Sequence, residues 1–293
     1  MVGSASIEAL DDTFNEIKRN AEAGDPIAMR NLGNCYRIGT GVGIDKLKAI
    51  EWLQRSASAG CAAAMCSLGI CFKAGDGVTA NPEESFKWYV RSAEAGYAPA
   101  QYFLAMLYSN GGGGAPGIDV RKSFYWLKRA AEGGHEEAYF GLAKCYESGQ
   151  GVAVNKKEAV KWLKLAAEAG NAEAQVCLGV AYKTGEGVSA VNPRKAMEWW
   201  ARAASSDNAR AMYLLGSMYL SGEGVPIDKY KAFIYYRNSA DAGDGDAQFN
   251  VGLMYSTGDG VALDEKETVR YWTRAANQGN SRAQYHLGLL CKR

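Results

Sequence analysis

Two tripeptides, Lys183-Thr-Gly185 and Ser206-Asp-Asn208, match two of the three short signatures of serine β-lactamases, whose nucleophile comes from a Ser-x-x-Lys. No Ser-x-x-Lys occurs in the chain and the two tripeptides stand in the wrong order, so acyl transfer lacks its attacking atom. The stretch Gly112-Gly-Gly-Ala-Pro-Gly117 satisfies the phosphate-cradling pattern Gly-x-Gly-x-x-Gly. That pattern works only after a strand, and here the preceding residues have helical periodicity. His135 and His286 are the only imidazoles and lie far apart in sequence, which leaves a metal site without clustered ligands. His135 is expected to be solvated at a turn and His286 to sit on a helix surface. No catalytic, cofactor-binding or metal-ligating residue is therefore expected.

The remaining reactive residues are seven cysteines, at positions 35, 61, 66, 71, 145, 177 and 291. Their number is odd and they fall mostly inside helical segments, which reads as small buried apolar residues and not as a disulfide framework. Net charge is +1, from 33 basic and 32 acidic side chains, so the chain sets up no global field for nucleic acid or an anionic membrane. No apolar run reaches the roughly 18 residues of a membrane span, and the first residues lack a hydrophobic signal region. A cytoplasmic location is the expectation, although a processed chain would read the same way.

Glycine is abundant, 35 residues against 6 prolines, and its placement is periodic. An alanine precedes an aliphatic residue by four at Ala28/Leu32, Ala64/Leu68, Ala100/Leu104, Ala138/Leu142, Ala174/Leu178, Ala211/Leu215, Ala247/Val251 and Ala283/Leu287. In seven of these copies an aromatic follows four residues later, as at Tyr36, Phe72 and Tyr108. This spacing stacks three side chains on one face of a helix, here called helix A. A Gly-x-Gly pair ends it, at 39/41, 75/77, 111/113, 149/151, 185/187, 222/224 and 258/260, and supplies the left-handed conformation that terminates helices. A second amphipathic segment, helix B, carries an aromatic at 52, 88, 126, 162, 199, 235 and 271 and an alanine five residues beyond. That aromatic is expected to fill the space between helices.

Neither helix buries its apolar face alone, so neighbouring pairs must stack. The expected organisation is a capping half-repeat over 1–24, then repeats over 25–60, 61–96, 97–134, 135–170, 171–207, 208–243 and 244–279, and a partial eighth over 280–293. Residues 110–117 are the one real insertion and are expected to form a mobile loop.

On these residues, Ala-x-x-x-Leu-Gly-x-x-Tyr-x-x-Gly-x-Gly-Val followed by Lys-Ala, Trp and Ala-Ala, the chain resembles the Sel-one-like repeat family, a relative of the tetratricopeptide repeat. The resemblance covers nearly the whole chain, with mild departures: Asp207 in place of glycine, Tyr235 and Tyr271 in place of tryptophan, and Gly114 in place of valine. Ordinary tetratricopeptide arrays lack the Gly-x-Gly-Val element, and no regular polar code of the nucleic-acid-reading repeats is present. The resemblance implies an all-α fold, a right-handed α-solenoid superhelix of about seven antiparallel helix pairs of about 36 residues. It also implies a non-enzymatic adaptor or scaffold. A permanent structural subunit, self-associating through its C-terminal end, is the alternative. A hydrolase akin to β-lactam-binding relatives comes last, for want of a nucleophile.

Taking the recurring leucine of helix A as zero, positions two before, two after and five after fall near 160, 200 and 140 degrees at about 100 degrees per residue. These face away from the stacking seam, on the side that solenoids use for binding. The candidate partner-binding residues are Arg30, Asn34, Arg37, Lys73, Tyr102, Met106, Phe140, Lys144, Lys183, Tyr213 and Phe249. They predict a protein or peptide partner, with Arg30, Asn34, Arg37 and Lys73 as donors to an acidic segment. The competing expectation is that adjacent helices bury the aromatic members of this set. The recurring arginines 55, 91, 129, 202 and 274 of helix B read as a solvated face.

Overall fold

Helix B begins in every repeat on Asp or Asn, at Asp45, Asn81, Asp119, Asn155, Asn192, Asp228 and Asp264, and each side chain accepts an amide of the first turn. Helix A ends in every repeat on a glycine in the left-handed region, such as Gly75 at φ 73°. These start and stop signals cut the chain into helices mostly 13 residues long.

The computed structural model describes residues 4–290, with side-chain surroundings from residue 13 onward. Cys291 and the outermost three positions of each terminal segment lie outside the described residues. Among the described residues there are sixteen helices and no strand. Two compact units divide between Val154 and Asn155. The first holds α1 (Ser4–Glu22), α2 (Pro26–Ile38), α3 (Lys46–Ser58), α4 (Ala62–Ala74), α5 (Pro82–Glu94), α6 (Ala98–Asn110), α7 (Val120–Glu132) and α8 (Glu136–Ser148). The second holds α9 (Lys156–Glu168), α10 (Ala172–Thr184), α11 (Pro193–Ala204), α12 (Ala209–Ser221), α13 (Lys229–Asp241), α14 (Gly245–Thr257), α15 (Glu265–Asn277) and α16 (Ser281–Leu290). Even-numbered helices are helix A and odd-numbered ones helix B. Within each unit every helix packs on its neighbours in sequence, the pattern of an all-α solenoid.

The helix A stripe forms the seam. Leu32, Leu68, Leu104, Leu142, Leu178 and Val251 are fully buried. The residue after this leucine is glycine in most copies, and helix B lies directly upon it. A Cβ on Gly69 would fall 2.8 Å from the Tyr89 ring, one on Gly216 would fall 2.8 Å from Tyr236, and those on Gly179 and Gly252 would collide with Trp200 and Trp272. The side chain that lies on these glycines is thus one position beyond the aromatic expected from the sequence, although Trp162 and Tyr271 are themselves buried as expected. Trp200 is fully buried and its Nε1–H donates to the Val176 carbonyl at 3.1 Å.

The expected fillers Trp52, Trp88 and Trp199 are only partly buried. The guanidinium groups of Arg55, Arg91 and Arg202 lie over their rings at 4.1, 4.8 and 4.5 Å, and Arg274 covers Tyr271 at 5.3 Å. Four of the five helix B arginines are therefore ring partners three residues along the helix, and Arg129 lies over Tyr125, four residues back, at 6.0 Å. Each contact is worth about 0.5–1 kcal/mol, so these arginines are not merely a solvated face.

The second loop glycine has its own reason. Gly77, at φ 79°, lies so close to the first turn of α3 that a Cβ would stand 2.5 Å from the Lys46 carbonyl. In the third repeat the sequence pairing of 111 with 113 is off by one. The insertion carries the chain one residue further, and it is Gly114 that closes on Pro82.

Candidate functional site

The open face of helix A divides by position. Residues two before the leucine are drawn inward where a helix B of the same repeat and a following helix A pack on them, whereas Tyr285 on the last helix is exposed. Cys66, Val176 and Phe249 are buried, at 4%, 0% and 4% exposure. Phe249 stacks on Trp272 at 6.3 Å and meets His286 at 5.6 Å, so its predicted binding role is corrected to a packing one. Tyr213 is partly buried on Tyr236 at 5.4 Å. Residues two after the leucine point outward, with Ile70, Met106, Leu253 and Leu289 exposed.

In the first unit the predicted residues Tyr102, Met106, Phe140 and Lys144 come together around a cavity of about 310 Å³ between α6, α7 and α8, floored by Leu127. Met106 is 41% exposed at its mouth, and Lys144 on the rim pairs with Glu147 at 2.6 Å. His135 is not a solvated turn residue. Its ring packs on Tyr102 at 4.8 Å and its Nε2 lies 3.4 Å from Glu137, which also lines the cavity. An apolar recess with charged groups confined to its rim suits one apolar side chain flanked by polar main chain.

The N-terminal donors are arranged differently. Arg37 lies 3.7 Å from Asp76, and Lys46 shares that carboxylate at 2.9 Å. Lys73 is exposed, Asn34 is partly buried, and Arg30 is partly buried with its Nε unpartnered among the described residues. Asp76, in the loop after α4, is the group that sequence reasoning missed; its place one residue after the terminating Gly75 is the available signal. In the second unit Lys183 pairs with Glu223 at 3.1 Å.

Among the described residues no group of three His, Cys, Asp or Glu side chains could hold a metal, and no helix is long and apolar enough to cross a membrane. Burial pushes the Cys66 thiol up to about 12 and raises those of Cys35, Cys71 and Cys145, which keeps these sulfurs in the unreactive thiol form. Lys183-Thr-Gly185 is the C-terminus of α10 and its left-handed cap, as expected.

The sequence model of the Sel1 repeat matches residues 26–61, 62–97, 98–135, 136–171, 172–208, 209–244 and 245–280. No curated protein matches the chain. Among solved structures, a protective antigen of uropathogenic Escherichia coli with an SLR fold is 30% identical at a TM-score of 0.82, covering 94% of this chain; the chain spans 59% of that protein's length. A Sel1 repeat protein from Oxalobacter formigenes is 33% identical at a TM-score of 0.66, covering 97% of this chain and 81% of its own.

Proposed function

The chain belongs to the Sel1 repeat family, and from that premise we propose that it is a non-enzymatic scaffold that grips an extended segment of a partner protein on the open helix A face of its first unit. Proteins built from this repeat are commonly protein-interaction modules. The observation that carries the finer reading is the convergence of Tyr102, Met106, Phe140 and Lys144 on one cavity. A partner's apolar side chain seats there, while acidic residues of the same segment meet Lys73 and the Arg37–Asp76–Lys46 cluster, where two cations share one carboxylate.

A peptide-display selection against the purified protein, followed by fluorescence titration of the selected sequences, tests this reading. Met106→Glu should weaken the selected peptides at least tenfold, with circular dichroism unchanged. Peptides that bind Met106→Glu and Phe140→Ala as tightly as the wild type would remove the cavity from consideration.

A second reading, a subunit held permanently in a larger assembly, rests on an apolar recess of about 580 Å³ beside α16, bordered by Val269, Trp272, Leu289 and Leu290. Light scattering on the wild type and on Leu289→Asp/Leu290→Asp separates the two. An oligomer that collapses in the variant supports assembly, and a monomer in both supports the adaptor.

A further inference from the structure

A cavity of about 710 Å³ in the second unit lies away from the helix A face, where α9 borders the loop before α11. Three lysines line it: Lys157 and Lys164 from α9, and Lys195 from the first turn of α11. All three are exposed, and among the described residues none forms an ion pair. Val160 and Tyr182 give it an apolar floor, with the Lys195 ammonium 5.4 Å from the centre of the Tyr182 ring. The loop's own acid, Glu186, is engaged by Lys156 at 3.1 Å. The Asn192 carboxamide already accepts the Lys195 amide at 3.0 Å, so recognition falls to the three ammonium groups.

The repeat architecture supplies an internal control, because the same corner recurs between other helix B pairs. The positions equivalent to Lys157, Lys164 and Lys195 hold Leu47, Gln54 and Glu84 at the first such corner, and Glu83, Val90 and Lys122 at the next. Within the second unit they hold Arg194, Ala201 and Lys231, beside a cavity that Glu198 also lines, and then Tyr230, Arg237 and Glu267. None of these four corners gathers three cations. The loop at the lysine corner has six residues between Gly185 and Asn192, against seven between Gly111 and Asp119 and five between Gly222 and Asp228.

We infer that this corner is a binding site for an acidic peptide segment in polyproline II conformation, with carboxylates three residues apart. Lys157 and Lys164 stand seven residues apart on one helix, about 10 Å along its axis. That spacing matches carboxylates three residues apart on a polyproline II segment, which share one face at about 9 Å, and is too wide for a single phosphate to bridge. The site shares neither residues nor helices with the cavity of the first unit, so it stands or falls independently of the reading proposed for that cavity.

The test is a fluorescence-anisotropy titration of the full chain at low salt with a labelled peptide containing Glu-Val-Thr-Glu, beside a register control containing Glu-Glu-Val-Thr. The Glu-Val-Thr-Glu peptide should bind saturably and more tightly than the control. Lys157→Glu/Lys164→Glu should weaken it about tenfold or more, the scale of one to two charge-assisted hydrogen bonds. Lys122→Glu/Lys128→Glu in the first unit, which changes net charge equally, should leave it within about twofold, the scale of a screened long-range effect. Equal weakening by both pairs, or no saturable binding, overturns the site. Tripolyphosphate that binds with the same lysine dependence while neither peptide does overturns the peptide assignment. Lys122, Lys157 and Lys164 are exposed and Lys128 is partly buried, and a superimposable circular dichroism melt verifies that the variants fold.

Discussion

Apart from α2, which Asp25 caps, the two units start their A helices by different rules. In the second, α10, α12 and α14 begin on Asn171, Asn208 and Asp244, each accepting an amide of the first turn at 2.7–2.9 Å. In the first, α4, α6 and α8 begin on Cys61, Tyr97 and His135, and none of these makes a side-chain cap. A cap contributes about 1 kcal/mol, so three consecutive repeats give up local stability that the sequence supplies elsewhere. Two of the three residues are rings, with Tyr97 packed on the core and His135 on Tyr102 beside the α6–α8 cavity. Departures from a local rule concentrate where a surface is shaped for something else. In the seam the contrast runs the other way for most copies, since Trp200, Tyr236 and Trp272 of the second unit fill space that Leu53 and Leu127 fill in the first, with Tyr89 and Leu163 the exceptions.

The largest expected effect breaks the seam. Trp200→Ala should cost about 3–5 kcal/mol in chemical denaturation, against about 2–5 kcal/mol for Leu127→Ala. A tryptophan variant no weaker than the leucine one would erase the distinction between the units. Overpacking comes next, because a methyl at Gly179 meets the Trp200 indole; Gly179→Ala should lose about 1–3 kcal/mol. Asn208→Ala should lose about 1 kcal/mol by urea melts, whereas His135→Asp should gain up to about that amount and weaken any ligand of the α6–α8 cavity. Asp207, at φ 57° where the other repeats have glycine, offers a smaller gain, about 0.5–1 kcal/mol for Asp207→Gly. Smallest is Met106→Glu, which should change stability by no more than about 0.5 kcal/mol, as surface substitutions do.

Period, helix pairing and terminating glycines were legible in the sequence because stacking imposes them on every copy. The seam filler was misplaced by one residue because helix B carries neighbouring large residues, as in Glu198-Trp199-Trp200, and the outer one recurs more faithfully, its arginine partner being three residues on. The open face was legible only in part. Positions two before and two after the leucine lie about 40 degrees apart on a helical wheel, and it is the adjacent helix that buries Phe249 while leaving Met106 exposed. The lysine corner escaped notice because its members come from two repeats and no short motif joins them.

The contact of each second loop glycine with the preceding helix B ties one repeat's order to its neighbour's. Gly77 against Lys46, Gly187 against Lys156 and Gly260 against Lys229 join successive helix pairs through backbone, independent of which side chains fill the seam. In a linear array the sharpness of melting depends on such nearest-neighbour coupling more than on the strength of any single repeat. A methyl at Gly187 would therefore do more than lower the midpoint: it would uncouple the helix pairs on either side, and a single thermal transition would broaden into steps.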